Sequence, residues 1–143
     1  MSMAETVRVL RAMSLFQGLH DKALRVVALS GEALVLNAGE RLWEKDDDGP
    51  FVVIVLAGEA DVLVPTPRGE VSVATLGEGE IIGEMAVLTG RPRSTAVAAR
   101  TGLRVLRVDG EVMLDLMHEF PALALEIGRV LAHRLDAMNA RTI

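Results

Sequence analysis

Residues 81–95 have the sequence IIGEMAVLTGRPRST, which interrupts a β-rich region with a different pattern. Good helix formers fill positions 84–88 after a glycine and Gly90 then stops them, so we expect one short helical turn between two strands. The beginning of a helix offers unpaired amide N–H groups and a partial positive charge. Arg93 follows a proline that stiffens its approach, and Ser94 adds a hydroxyl beside it. These groups together predict a phosphate-binding site.

Glu84 needs a further explanation, because its carboxylate would repel an anion bound in the same place. It fits the site if the ligand also carries a hydroxyl donor, or if Glu84 orients an arginine. A ribose 2′-hydroxyl next to a phosphate satisfies both conditions. The simpler interpretation of Glu84, an acidic residue at a helix start, stays open. The residues alone therefore predict a phosphorylated ribose held inside a β-rich domain.

The rest of the chain divides into three regions, which predict one domain over residues 1–143. Residues 1–30 have helical spacing, residues 31–108 contain short β-rich runs separated by glycine turns, and residues 109–143 return to helical spacing. The order predicts a mainly β fold, a β-roll or jelly-roll barrel with N-terminal helices, the short inserted helix and a long C-terminal helix. The expected strands are Ala33–Leu36, Arg41–Glu44, Phe51–Leu56, Ala60–Val64, Val71–Leu76, Ser94–Ala98 and Leu103–Val108.

Capping residues predict where the flanking helices begin. We expect Asp21 to cap the second N-terminal helix and Asp109 to cap a short helix that runs to about His118. Pro121 suits the first turn of a long helix to about Ala140. Its apolar arc is wider than packing on one surface requires, so we expect one stripe against the barrel and one available to a symmetric partner. The two stripes are Leu123, Ile127 and Val130, and Leu131, Leu135 and Met138.

Composition excludes several classes of function. The net charge of -5 and an aromatic content of 3% argue against direct nucleic-acid binding by this chain. The absence of cysteine excludes disulfides and thiolate chemistry. The histidines, His20, His118 and His133, lie outside the middle of the chain, where a metal-dependent barrel enzyme would need its ligands. With neither a metal cluster nor a general base paired to a nucleophile, we expect no catalytic residues, no metal and no cofactor.

No membrane or export signal is apparent in the sequence. No apolar run approaches the length of about 18 residues that a membrane span needs. The first residues, Met1–Glu5, lack the basic and apolar segments of a signal peptide. We therefore expect a cytoplasmic protein without membrane insertion.

The segments Gly83–Leu88 and Arg91–Ser94 resemble the phosphate-binding cassette of cyclic nucleotide-binding domains. That family includes the bacterial catabolite activator protein, protein kinase A regulatory subunits and cyclic nucleotide-gated channels. The resemblance extends along nearly the whole chain, because shorter pieces in the expected order are also similar. These pieces are residues 14–19, 38–43, 55–59 and 76–79 and the helix that begins at Pro121.

The resemblance implies roles for the residues of the cassette and for three residues of the last helix. Gly83 would let the backbone approach the ligand, and Glu84 would accept a hydrogen bond from the ribose 2′-hydroxyl. Arg93 would pair with the cyclic phosphate. The amides near Met85 and Ala86 and the hydroxyl of Ser94 would donate to the phosphate, Thr95 has no assigned role, and the positions near the base are Arg134, Met138 and Asn139.

The function that the resemblance implies is a sensor that binds a cyclic nucleotide and transmits occupancy through movement of its C-terminal helices. Ser94 stands where a threonine is associated with cGMP preference, which favours cAMP as the ligand. One alternative is a module that keeps the fold but assembles without ligand. Another is the sensor fragment of a longer channel, kinase or transcription regulator, since no helix-turn-helix segment follows. The output partner is open in each case.

Two departures from the family pattern concern the loop before the third strand and that strand itself. The usual Gly-Asp-x-Gly-Asp is replaced by Asp46-Asp47-Asp48-Gly49-Pro50, and the aromatic residue often found near Val53 is missing. We expect both changes to affect the rim of the barrel rather than the phosphate site.

Overall fold

The computed structural model describes the backbone of residues 2–142 and the side chains of residues 2–140. Two four-stranded antiparallel sheets carry the domain, with strand orders β1-β8-β3-β6 and β2-β7-β4-β5. The jelly-roll fold expected from the sequence is confirmed, although the described strands form two sheets rather than one closed barrel. The strands are β1 Glu32–Leu36, β2 Arg41–Trp43, β3 Phe51–Ala57, β4 Ala60–Thr66, β5 Gly69–Leu76, β6 Ile81–Ile82, β7 Ala96–Ala99 and β8 Leu103–Asp109.

Helices flank the sheets at both ends of the chain and interrupt them once. The helices are α1 Met3–Arg11, a 3₁₀ turn at Ser14–Phe16, α2 Asp21–Ser30, α3 Glu84–Thr89, α4 Gly110–Glu119 and α5 Pro121–Thr142. The expected helical turn at positions 84–88 is therefore present as α3. Asp109 occupies the N-cap position of α4, as expected, but its side chain makes no capping hydrogen bond. Among the described residues, none of these helices combines the length and apolar character needed to cross a lipid bilayer.

The structure corrects two local predictions. His20, not Asp21, is the N-cap of α2, because its Nδ1 atom accepts a hydrogen bond from the amide of Ala23 at 3.3 Å. Asp21 is the first residue of that helix and forms an ion pair with Arg11 at 2.7 Å. The sequence also missed β6, whose two residues are too few to produce a periodic pattern.

Strand β3 separates the two apolar cores of the domain. Val52, Ile54 and Leu56 face a core that the N-terminal and C-terminal helices complete, whereas Val53 and Val55 face the space between the two sheets. Alternate side chains of a strand point to opposite faces, so a strand covered on both sides is apolar throughout. This central position explains the unbroken apolar run that predicted the strand.

Helix α5 divides its apolar residues between the core and the exterior. Leu123 and Ile127 are buried, and Val130 and Leu131 pack partly against the same core. Leu135 and Met138 remain 57% and 62% exposed. The first expected stripe is therefore the packing face of α5, whereas only part of the second stripe is exposed.

Candidate functional site

Helix α3 begins at a glycine whose conformation and surroundings leave no room for a side chain. Gly83 is the N-cap of α3 and has a φ of +93°, a value that L side chains rarely adopt. A Cβ atom there would lie 2.5 Å from Nη1 of Arg93 and 2.8 Å from Cη2 of Trp43. The glycine thus allows the backbone to turn into α3 and lets the arginine and the indole approach it.

Arg93 is an arginine almost completely removed from solvent, with an exposed fraction of 3%. Its Nη1 donates to the carbonyl oxygen of Gly83 at 3.0 Å, and its Nη2 donates to the carbonyl oxygen of Phe51. Its Nε is buried without a hydrogen-bond partner. Burial lowers the pKa of the guanidinium to about 10, against the opposing influence of Asp47 and Glu84. The group therefore remains a cation at neutral pH.

The loop before β3 holds the backbone of Arg93 in place. The amide of Arg93 donates to the carbonyl of Asp47, and the amide of Asp46 donates to the carbonyl of Arg93, both at 2.8 Å. A Cβ atom on Gly49 would lie 2.4 Å from the Cβ of Ala86 and 3.1 Å from Nε of Arg93. The expectation that this loop affects only the barrel rim is therefore wrong, because residues 46–49 form one wall of the arginine's environment.

Glu84 is buried with an exposed fraction of 4% and is held by an arginine from α5. Nη1 of Arg134 donates to Oε1 of Glu84, and Nη2 of Arg134 donates to the carbonyl of Ile81 at 2.7 Å. One of the two sequence-based explanations of Glu84 was that it orients an arginine. It does bind one, but that arginine comes from the last helix rather than from the cassette.

One cavity of about 470 Å³ collects nearly all the residues that the sequence singled out. This volume lies in the range of small-molecule sites. Asn139 is exposed on α5 and is the only expected ligand residue that does not line the cavity. The expected residues that do line it are Gly83, Glu84, Met85, Ala86, Arg93, Ser94, Thr95, Arg134 and Met138.

The charges around this cavity favour an anionic ligand. Its charged lining residues are Arg91, Arg93, Arg134 and Glu84, and the single carboxylate is already paired with Arg134. No carboxylate within the described part of the chain forms an ion pair with Arg93. Complementary charge and unpaired donors are what a phosphate requires.

A larger cavity of about 670 Å³ lies beside α3 as well, but it has the opposite electrostatic character. Its charged lining residues are Asp48, Asp109, Glu111 and Arg91. Because three of these four groups are acidic, this cavity is poorly suited to an anion. Charge, rather than volume, therefore identifies the candidate site.

Sequence reasoning missed the aromatic part of the site. The guanidinium carbon of Arg93 lies 3.7 Å from the ring centroid of Trp43 and 5.0 Å from that of Phe51. The chain has only four aromatic residues, three Phe and one Trp, and two of them are here. The rarity of aromatic residues could have drawn attention to Trp43 and Phe51, but on sequence grounds it counted only against nucleic-acid stacking. No cluster of side chains able to hold a metal ion occurs among the residues described.

Comparison with known proteins identifies the family. The family model described as "Cyclic nucleotide-binding domain" matches residues 33–120 of this chain. The chain belongs to this family. The recognition made from the cassette residues is thereby confirmed.

Individual relatives agree with this assignment. The catabolite activator protein of Thermus thermophilus aligns with a TM-score of 0.81 and 26% identity, covering 90% of this chain and 61% of that one. The regulatory domain of Toxoplasma gondii protein kinase A, crystallised with cAMP, aligns with a TM-score of 0.70 and 26% identity, covering 80% and 44%. A lysophospholipase NTE1 of Chaetomium globosum is 30% identical over 108 residues, 75% of this chain but 7% of that protein. The chain thus spans only part of each of these relatives.

Proposed function

We propose that this domain is a sensor of cyclic nucleotides whose ligand is cAMP. The observation that carries the proposal is the buried guanidinium of Arg93, a cation without a carboxylate partner at the wall of a cavity with excess positive charge. Such a group costs free energy to bury, and an anion in the cavity would compensate it. The cyclic phosphate is that anion.

The first turn of α3 and Ser94 complete the phosphate contact in this proposal. Helical geometry leaves the amides of the first turn, which includes Met85 and Ala86, without intrahelical acceptors. Both residues line the cavity together with Ser94 and Thr95. The ligand phosphate then receives backbone, hydroxyl and guanidinium donors from one short segment, and the ribose 2′-hydroxyl donates to the carboxylate of Glu84.

Helix α5 supplies the part of the site that responds to occupancy. Arg134 and Met138 line the cavity from this helix, and Arg134 is bonded to Glu84, the proposed ribose acceptor. A ligand that engages Glu84 changes the contact that holds this half of α5. Because a ligand shifts a conformational equilibrium only by its difference in affinity for the two states, that contact is where the difference arises.

Isothermal titration calorimetry of the full chain with cAMP, cGMP, 2′-deoxy-cAMP and a cyclic dinucleotide tests the proposal. We expect saturable one-to-one binding of cAMP, weaker binding of cGMP and of the deoxy ligand, and no binding of the dinucleotide. The absence of heat with both cAMP and cGMP, confirmed by unchanged thermal melts at millimolar ligand, would overturn the sensor function. It would favour the alternative of a ligand-independent interaction module.

We also propose that α5 forms a symmetric dimer with a second copy of the chain. Leu125, Gly128, Ala132 and Leu135 are exposed and follow one another at spacings of three, four and three residues. This spacing matches the a/d positions of a short two-stranded coiled coil, with leucine at its two ends. A single row of exposed residues along α5 fits a second helix better than it fits a flat surface.

Sedimentation velocity on the wild type and on Leu125→Glu/Leu135→Glu tests the dimer. We expect a dimer for the wild type and a monomer with an unchanged melt for the double variant, because both side chains lie outside the core. His133→Glu, which places the same charge at another exposed position of α5, should remain a dimer. A wild type that sediments as a monomer would contradict the proposal.

A cytoplasmic location is part of the same proposal. The lack of cysteine fits a reducing compartment. Direct fractionation of cells that express the tagged chain is the test, and recovery in a membrane pellet after salt washing would contradict it.

A further inference from the structure

The tryptophan that underlies Arg93 has no role in the proposed ligand contacts. We propose that Trp43 is a positioning residue for Arg93, because its indole face fixes the guanidinium at the cavity wall without neutralising its charge. The inference rests on the proposed function, since it concerns how Arg93 is kept ready for a phosphate. Trp43 thus lies outside the cassette and sets affinity for the anionic part of the ligand.

The guanidinium of Arg93 lies beside two aromatic rings that contact each other. Its central carbon is 3.7 Å from the Trp43 ring centroid and 5.0 Å from the Phe51 centroid. The two rings meet edge to face, with centroids 5.7 Å apart and an interplanar angle of 71°. A cation within about 6 Å of a ring centroid is attracted by the negative face of the ring, most strongly for tryptophan. Trp43 therefore makes the shorter of the two aromatic contacts to Arg93.

The way in which Arg93 is held matters for anion binding. A carboxylate partner would fix the guanidinium equally well, but it would cancel the positive charge and compete with a phosphate for the same donors. Arg93 instead contacts two neutral carbonyls and two neutral rings. These partners hold the group through dipoles and ring quadrupoles, so no directly paired carboxylate competes with the ligand for its donors.

Trp43 is itself held firmly enough to position another side chain. It is 7% exposed and belongs to the core between the two sheets. Strand β2 pairs with β7, with Trp43 opposite Val97, and a register irregularity between residues 41 and 43 redirects the chain at this point. Gly83 leaves space for the edge of the indole, since a Cβ atom there would lie 2.8 Å from Cη2. The indole is thus confined by backbone on one side and by core residues on the other.

A plain core role for Trp43 is the competing interpretation, and a double-mutant cycle separates the two. The proteins are wild type, Trp43→Leu, Arg93→Ala and the combined variant, each titrated with cAMP by calorimetry or by displacement of a fluorescent analogue. We expect Trp43→Leu to weaken cAMP binding about tenfold in the wild-type background, within the range of a desolvated cation–π contact. In the Arg93→Ala background the same substitution should change affinity less than about twofold, because the group it positions is gone.

Two further variants protect the test against a folding defect and against a general effect on the cavity. Trp43→Phe keeps an aromatic face, and we expect it to retain cAMP affinity within about threefold. Val62→Ala alters another apolar residue of the same cavity, and its effect should be equal with and without Arg93. Thermal melts of every variant establish that the folded state is being titrated.

The possible outcomes are distinct. If the wild type does not bind cAMP, the proposed function fails. If the wild type binds but Trp43→Leu, shown to be folded, binds equally well, the positioning role alone is wrong. Equal losses from Trp43→Leu in both Arg93 backgrounds would likewise overturn it, because Trp43 would then act on the ligand independently of Arg93.

Discussion

Two of the three arginines that line the cavity, Arg93 and Arg134, are held in different ways. Arg93, on the β-roll side, is 3% exposed, stacked on an indole and bonded to two carbonyls. Arg134, on the α5 side, has a side chain 33% exposed and is held by Glu84 and one carbonyl. The first arginine is fixed by the fold, whereas the second is fixed by a group that the proposed ligand would also engage.

This difference assigns the two sides of the cavity different roles, ligand affinity to one and the response to bound ligand to the other. A rigid cation loses little conformational freedom when it binds a phosphate, so the β-roll side is suited to provide affinity. Arg134 is the partly exposed member of its ion pair with the buried Glu84, so the α5 side is suited to change with occupancy. Substitutions on the two sides of the cavity test this division of roles, and the largest effect is expected on the β-roll side.

Arg93→Ala should weaken cAMP binding by about 2–4 kcal/mol, because a charge-assisted phosphate contact is lost and the bound anion is left under-paired. We expect a cooperative melt to remain, since the substitution also removes a buried cation. Calorimetry measures the affinity. Arg104→Ala is the matched control, because it removes an exposed arginine of β8 that does not line the cavity. Equal affinity of Arg93→Ala and wild type would mean that the β-roll side does not bind the phosphate.

Glu84→Gln should weaken cAMP binding by roughly 1–2 kcal/mol, the difference between hydrogen bonds to charged and to neutral acceptors. The amide oxygen keeps the shape and can still accept from a hydroxyl. With 2′-deoxy-cAMP the wild type and the variant should therefore bind almost equally. A large remaining difference for the deoxy ligand would show that Glu84 acts through Arg134 rather than on the ribose, so the titrations are repeated in the Arg134→Ala background.

Local sequence signals were sufficient for the fold and for the cassette. Glycines at 83 and 90 bound a helical run, and the structure has α3 at Glu84–Thr89 with a left-handed residue at each end. The apolar run of β3 likewise predicted its strand, because both faces of β3 are buried. These features depend on neighbours in the chain, which periodicity and turn residues reveal.

Contacts between distant segments could not be predicted in the same way. Trp43 and Arg93 are 50 positions apart in the chain. The pairing of β2 with β7 and the backbone hydrogen bonds of residues 46 and 47 to Arg93 bring the two regions together. The loop at residues 46–49 was assigned to the rim, yet its backbone pairs with that of Arg93. Similarly, the family resemblance implied a position near the base for Arg134, whereas its bond to Glu84 depends on how α5 crosses the cavity. In each case the deciding quantity is a tertiary distance.

Arg134→Ala should have the smallest effect, about 0.5–1 kcal/mol weaker cAMP binding, the scale of a partly exposed ion pair. Without Arg134, the buried carboxylate of Glu84 is uncompensated and repels the phosphate across the cavity. Arg134→Lys keeps the charge and should recover most of the lost affinity. Calorimetry at low and high salt is the measurement, and the difference in affinity between Arg134→Ala and wild type should be smaller at high salt because salt screens the charges. Tighter binding by Arg134→Ala would reverse the interpretation, because the arginine would then compete with the ribose hydroxyl for Glu84. A change in cAMP affinity in either direction would place the adjustable contact at Arg134. Unchanged affinity in both variants would mean that α5 does not contribute to the site and that the β-roll alone binds the ligand.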